Sequence, residues 1–290
     1  MNIRDIVARA LAEDLGAGDV TTESLFHEAI PAVGTIVAEE RDGLVVAGLA
    51  AAVEVFTQVD PSLTCQARVK DGDRVPNGTI VLTVTGDGRS ILKGERVALN
   101  FMQRLSGIAT LTAKFCEAVK GFNVKIVDTR KTTPGLRTLE KWAVTLGGGH
   151  NHRYGLGDGI LIKDNHLALA AGPSGKAPSS EHVARACRLV IERAKRAPHG
   201  LKIEVEARTL DEARAALDGG ADIILLDNMD APSIRKAVAL IKGRAVTEAS
   251  GGVTLANARK IAAAGPDFIS VGALTHSAPA ADLSMDIIPQ

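Results

Sequence analysis

The sequence lacks net charge, paired cysteines and any long apolar run, and each lack excludes something. Its 290 residues carry 34 basic and 34 acidic side chains, so no global field draws it to nucleic acid or to an anionic membrane. Recognition of an anion must therefore be local. Cys65, Cys116 and Cys187 are odd in number, far apart and outside metal-ligand spacing. They read as reduced core thiols, and a cytoplasmic setting is expected. Met1–Leu15 mixes Arg4, Asp5, Arg9, Glu13 and Asp14 with apolar residues and so lacks the apolar core of a signal peptide. No stretch reaches the length of a bilayer span, and no repeat or low-complexity tract is evident.

What is present divides by pattern. Residues 1–107 read as an α/β sandwich domain: a helix near Ile3–Leu11, then strand-like runs "GTIVAEE", "GLVVAG", "CQARVK" and "TIVLTVTG", with turns at Lys70–Asp73 and Pro76–Gly78. These runs are similar to a small carrier-type β-sandwich. A carrier, however, displays its lysine at a hairpin tip, and Lys70 precedes its turn. A helix from near Leu92 is apolar on most sides through Val97, Leu99, Phe101, Met102 and Leu105, so it should be buried. Arg96, Asn100, Gln103 and Gly107 nevertheless form one polar stripe on it. The stripe reads as lining a site or a subunit contact, or as an ordinary solvated face.

From about residue 122 the pattern becomes apolar runs that end in polar residues: "VKIVDTR", "GILIKDNH", "LKIEVEA", "DIILLDN", "AVTEAS" and "FISVGA". Helical patterns lie over 181–196, 210–219, 231–242 and 255–264. Alternation of this kind predicts a parallel sheet, and six strands over 108–275 predict an incomplete (β/α) barrel with its site at the carboxyl ends of the strands. Ala171–Pro178 reads as a loop. Residues 276–290 read as a tail whose "LSMDI" returns to the first domain as a strand.

The polar residues at those strand ends carry the chemistry. "VDTRKTTPGLR" places Arg130 and Lys131 after a strand, and Thr133–Pro134 reads as the capped start of a helix whose dipole favours an anion. His152 and Arg153 follow a glycine-rich turn, and Lys163 ends an apolar run. Five cations converging on one face point to a carboxylate or phosphate ligand, although each alone is explained by a solvated loop or a structural histidine. His150, His152 and His166 have no carboxylate or cysteine at zinc-ligand spacing, so zinc is not expected. On the acidic side, Glu204 and Glu206 share one face of a strand and Asp227 ends another. They suit Mg²⁺, sugar hydroxyls or a developing cation, or simple ion pairing. Ser250, Gly251 and Gly252, with Gly272 after the last strand, suit a phosphate held by backbone N–H groups.

Taken together, "GERVALNFMQRLSGIAT", "DTRKTTPGLRTLEKWAV", "GGGHNHRYGLGDGILIKDNH", "IEVEA", "LLDN" and "EASGGV" resemble the quinolinate phosphoribosyltransferase family, and the likeness extends from "EDLGAGDVTT" to "GALTHSAPAADLSMDI". The resemblance implies transfer of 5-phosphoribosyl from its 1-pyrophosphate to quinolinate, giving nicotinate mononucleotide, pyrophosphate and carbon dioxide. It implies that Arg130, His152, Arg153, Lys163 and Arg96 of a neighbouring subunit bind the quinolinate carboxylates. Lys131 would face the phosphoribosyl substrate, and Glu206 and Asp227 the ribose and Mg²⁺-pyrophosphate. Ser250, Gly251, Gly252 and Gly272 would hold the 5-phosphate. Lys131, Lys163, Glu206 and Asp227 form the expected catalytic set, and Thr129 and Ala273 join the substrate-binding set. A homodimer is implied, with no nucleic acid or membrane partner. The roles of Arg104 and Arg137 stay open, as does a Schiff-base aldolase reading with Lys163 as nucleophile.

Overall fold

The computed structural model describes residues 2–171, 180–198 and 200–290; the loop expected over Ala171–Pro178 lies, from 172 on, outside them. The chain divides into two compact units. The first comprises Met1–Ala113, Lys131–Gly149 and Leu274–Gln290, and the second Lys114–Arg130 and His150–Ala273. The stretch 131–149, counted with the barrel from sequence, thus clusters with the first unit.

In chain order the elements are α1 (Ile3–Leu15), α2 (Val20–Leu25), β1 (Pro31–Ala38), β2 (Leu44–Val45), α3 (Leu49–Val59), β3 (Thr64–Ala67), β4 (Arg74–Val75), β5 (Ile80–Asp87), α4 (Gly88–Ala118), β6 (Lys125–Val127), α5 (Arg137–Leu146) and β7 (Ile160–Ile162). There follow α6 (Asp164–Ala171), α7 (Ser180–Arg196), β8 (Ile203–Ala207), α8 (Leu210–Gly219), β9 (Ile223–Asp227), α9 (Ala231–Ile241), β10 (Val246–Ser250), α10 (Leu255–Ala262), β11 (Phe268–Ser270), α11 (Ala273–His276) and β12 (Leu283–Pro289).

The first unit carries a four-stranded antiparallel sheet in the order β12-β1-β5-β3 and a two-stranded one, β2-β4. The alternating tail forms β12, which pairs with β1 from Ala32↔Pro289 to Ala38↔Leu283. α3 goes unread in the sequence because its start has no local cap: Gly48 at the N-cap makes no side-chain bond, and the Leu49 N–H is received instead by Asp71, 3.1 Å away and distant in sequence. The apolar side chains expected on α4 are all buried. Its polar stripe divides. Arg96 and Asn100 are exposed, whereas the Gln103 amide donates to Leu283 O at 2.9 Å and a Cβ on Gly107 would lie 1.9 Å from Pro279 O. The lower half of the stripe therefore seats the chain's own C-terminal segment.

The second unit carries a six-stranded parallel sheet in the order β6-β11-β10-β9-β8-β7, an unclosed barrel with helices between its strands. Its strands are Ile- and Leu-rich because both faces are covered. Ile224 and Leu226 are fully buried, each contributing about 1.5–3 kcal/mol. The helices start where side-chain caps dictate: Thr209 receives the Glu212 N–H before α8, Asp230 that of Ser233 before α9, and Thr254 and Asn257 cap each other before α10. Among the described residues, no helix is long and apolar enough to cross a membrane, and the cysteines are free.

Candidate active site at the carboxyl ends of the barrel strands

Every strand of the open barrel ends in, or leads towards, a residue singled out from sequence. Thr129 and Arg130 follow β6, Lys163 follows β7, Glu206 lies near the end of β8, Asp227 and Ser250 close β9 and β10, and Gly272 and Ala273 follow β11. Parallel register brings neighbouring ends level, with Glu206 opposite Leu225 and Asp227 opposite Ser250.

Deepest lies a buried cluster around His152. Glu204 and Glu248 are each only 4% exposed, and their carboxylates approach His152 Nε2 at 3.1 and 3.5 Å. The imidazole is fixed on its other side too, since Nδ1 accepts from the Arg153 N–H at 2.8 Å. The His152 N–H in turn donates to Asp128 Oδ1 at 2.8 Å, and Asp128 is fully buried. Burial opposes a charge on His152, but hydrogen bonds to Glu204 and Glu248 outweigh it and push the pKa up to about 10. Burial likewise raises Glu204. With Nδ1 accepting, the ring N–H is at Nε2, facing the two carboxylates.

These three side chains offer ligand atoms within 4.8 Å of one another. The sequence reading found no carboxylate beside the histidines because it searched along the chain, whereas the two glutamates come from β8 and β10. His152 Nε2 is already hydrogen-bonded to both. Arg153 is held below its usual range by burial and then by the adjacent Arg130 guanidinium. Its Nη1 donates to Gly159 O at 2.9 Å. A cavity of about 240 Å³ adjoins the cluster, lined by His152, Arg153, Lys202, Glu204 and Glu248 among others.

A second cluster lies at the rim. Arg208 donates to Asp164 Oδ2 at 2.6 Å and to Glu206 Oε1 at 3.3 Å, and its Nε is 3.6 Å from Asp227 Oδ2. Asn228 Nδ2 donates to the same Asp227 oxygen at 2.8 Å. Glu206 is raised by burial first and by Asp227 second. Beside it, Gly251 has a φ of +91°, and a Cβ there would meet Asn228 Oδ1 at 2.3 Å. Only glycine fits this turn. Lys163 is exposed, and its backbone N–H donates to His166 Nδ1 at 2.9 Å. Lys163 therefore lacks the desolvation on which an aldolase lysine relies.

Arg96 and Lys131 belong to the first unit; both are exposed. One sequence expectation fails there. Thr133 and Pro134 do not start a helix: α5 begins at Arg137, and its N-cap, Leu136, makes no side-chain bond. The reason is Glu140, fully buried, whose carboxylate takes the Thr133 N–H at 3.0 Å and hydroxyl at 2.7 Å. Arg104 pairs with Glu140 at 2.8 Å and donates to the Thr275 carbonyl, while Thr275 Oγ1 donates to Lys131 O at 2.8 Å. Arg104 is thus an internal clamp on the Lys131 turn, and α5 does not begin at Thr133. Arg137 Nε donates to Thr132 Oγ1 at 3.0 Å. Sequence reasoning missed Arg104 in this role, and also Asp128, Arg208 and Glu248. The one available signal was a charge inside an apolar strand run, as in "AVTEAS".

Models of two domains match the chain: "Quinolinate phosphoribosyl transferase, N-terminal domain" over residues 19–106 and "Quinolinate phosphoribosyl transferase, C-terminal domain" over residues 108–286. A probable nicotinate-nucleotide pyrophosphorylase [carboxylating] of Bacillus subtilis is 40% identical over 99% of this chain and 94% of its own length. A chloroplastic nicotinate-nucleotide pyrophosphorylase [carboxylating] of Arabidopsis thaliana is 43% identical, covering 99% and 83%. Among solved structures, the nicotinate-nucleotide pyrophosphorylase of Ehrlichia chaffeensis superposes with a TM-score of 0.89 at 37% identity, over 99% of each chain.

Proposed function

The chain belongs to the quinolinate phosphoribosyltransferase family, and from that premise we propose how its strand ends perform the family's reaction. The enzyme transfers the 5-phosphoribosyl group of its 1-pyrophosphate to quinolinate, yielding nicotinate mononucleotide, pyrophosphate and carbon dioxide on the route to NAD. The observation that carries the residue assignment is the sorting of charge: Arg130, Arg153 and Lys163 follow β6 and β7 or lie between them, while Glu206 and Asp227 occupy β8 and β9.

In this reading Arg130, Arg153 and Lys163 hold the two carboxylates of quinolinate, with guanidinium forks matching carboxylate oxygens. His152 belongs to the same set and joins it to the buried glutamates behind. Lys131, on the turn clamped by Arg104, meets the phosphoribosyl substrate. Ser250, Gly251, Gly252, Gly272 and Ala273 offer backbone N–H groups to the 5-phosphate, and Thr129 adds a hydroxyl beside the dicarboxylate.

The residues fit a divalent cation. Glu206 and Asp227 are hard oxygen donors of the kind Mg²⁺ takes, and they already draw one cation, Arg208, to within 3.3 and 3.6 Å. When bound, Mg²⁺ neutralises charge on pyrophosphate. The chain's own contribution is to place the carboxylates beneath the ribose, where positive charge develops as the C1–O bond breaks. The quinolinate ring nitrogen attacks C1 with its own lone pair, so no general base is needed. The resulting ring cation accepts the electron pair left when the adjacent carboxylate departs as carbon dioxide, and a proton takes its place on carbon.

We further propose a cytoplasmic homodimer in which Arg96, exposed on α4, reaches the partner's dicarboxylate. Mixing Arg96→Ala with Asp227→Asn tests this. Hybrid dimers with one intact shared site regain part of the activity, whereas no recovery would place Arg96 outside it. The reaction itself is tested by measuring nicotinate mononucleotide and carbon dioxide from quinolinate, phosphoribosyl pyrophosphate and Mg²⁺, with nicotinate as control. Equal yields from quinolinate and little product from nicotinate are expected. Turnover of nicotinate instead would overturn the dicarboxylate assignment.

A further inference from the structure

Three carboxylates and the Arg208 guanidinium make up the rim cluster, with Lys163 acting from nearby on Glu206 and Asp164. Arg208 meets Asp164 at the start of α6 at 2.6 Å, Glu206 of β8 at 3.3 Å and Asp227 of β9 at 3.6 Å. Its backbone N–H is held separately, by Glu212 Oε2 at 2.6 Å. Arg208 is therefore anchored through its backbone while its guanidinium lies over the two carboxylates assigned to the metal. Its side chain is half exposed, whereas those of Glu206 and Asp227 are 10% and 15% exposed. The acidic pair is thus fixed, and the cation above it is the movable part. There is room for that movement: a cavity of about 150 Å³ is lined by Arg208 together with Asp164, Glu206, Glu212, Leu167 and Ala168.

We propose that Arg208 is a built-in counter-cation that holds the Glu206–Asp227 pair neutralised and competes with the divalent metal for it. Metal binding displaces the guanidinium toward Asp164 and Glu212, which keep it paired. The chain thereby weakens its own affinity for free metal ion, so that the pair fills when the ion arrives with its anionic substrate. This rests on the assignment of Glu206 and Asp227 to the metal. Two like carboxylates close together favour any cation that reaches them, and an internal one has the advantage of proximity.

The test is titration of the full-length protein, without substrates, with Mn²⁺, following the free-ion signal by electron paramagnetic resonance. Arg208→Ala and Arg208→Gln should bind Mn²⁺ about threefold to tenfold more tightly than wild type, and Arg208→Lys should lie between. Equal or weaker binding by both neutral variants overturns the competition and makes Arg208 a support of the pair. Adding Asp227→Asn to Arg208→Ala separates the two ideas. If it abolishes the gain, the metal competes at this pair; if tight binding persists, the assignment of the metal to Glu206 and Asp227 is what fails.

Discussion

β8 carries two glutamates two residues apart, and the barrel uses them oppositely. Glu204 is buried with Glu248 around one imidazole, and the cluster's partners come from β8, β10 and the residue that follows β6. Glu206 lies at the rim with Asp227 under a half-exposed arginine. The alternation that puts both side chains on one face is the same, and only depth differs. Deep in the barrel, burial keeps the charges paired with one another, so a carboxylate–imidazole cluster acts as a fixture that sets the position of Arg153. At the rim a carboxylate pair can trade one cation for another. Holding geometry and binding an incoming ion are thus separated by a single repeat of the strand.

The strongest way to break this comparison is to remove one buried carboxylate. Glu204→Ala removes the nearer of the two carboxylates on His152, and removing one member of a buried pair costs about 3–5 kcal/mol. Chemical denaturation should show that loss, with quinolinate binding weakened and that of phosphoribosyl pyrophosphate much less so. The matching rim change, Asp227→Asn, should leave the denaturation midpoint nearly unchanged and lower kcat about 10²-fold, the scale expected when an electrostatic contact to a developing charge is lost. If Asp227→Asn unfolds the protein while Glu204→Ala only slows it, the division of labour is reversed.

The rim was legible in the sequence and the buried layer was only half so. Glu206, Asp227, Ser250 and Gly272 stand at the ends of apolar runs, where any parallel barrel collects its chemistry. Glu204 was visible by alternation, but Glu248 gained its meaning only when β10 came within reach of the segment after Gly149, a contact no local pattern encodes. The same holds for Asp71 capping α3 and for Glu140 taking the Thr133 N–H. In each case a distant carboxylate satisfies a backbone donor that sequence reasoning assigns to a neighbour. The six barrel strands and the helices α7 to α10 follow from periodicity, whereas α3 and the helix starts fixed by remote residues do not.

A subtler probe of the buried cluster is pH. His152 has its pKa raised in the folded state to about 10, against about 6.5 when unfolded. A raised pKa means that the folded state binds the proton more tightly. The associated stability is fully present below pH 6.5 and is lost as pH rises towards 10. Wild-type stability should therefore fall across that window, and Glu248→Gln, which removes one of the two carboxylates raising His152, should flatten the slope. An equal slope in both proteins would show that the cluster holds no such proton.

The smallest expected effect concerns the rim cation as a structural element. Arg208 makes three ion pairs, yet its side chain is 51% exposed, and solvent-exposed pairs contribute about 0–1 kcal/mol each, less in high salt. The pairs also relieve repulsion between Glu206 and Asp227, so their loss is partly offset when protons or metal ions take over. Arg208→Ala should accordingly shift stability by no more than about 1 kcal/mol, with the difference shrinking further when Mn²⁺ is present during unfolding. A larger loss that Mn²⁺ does not restore would mean that the arginine holds the rim together, and that the rim, like the layer beneath it, is a fixture.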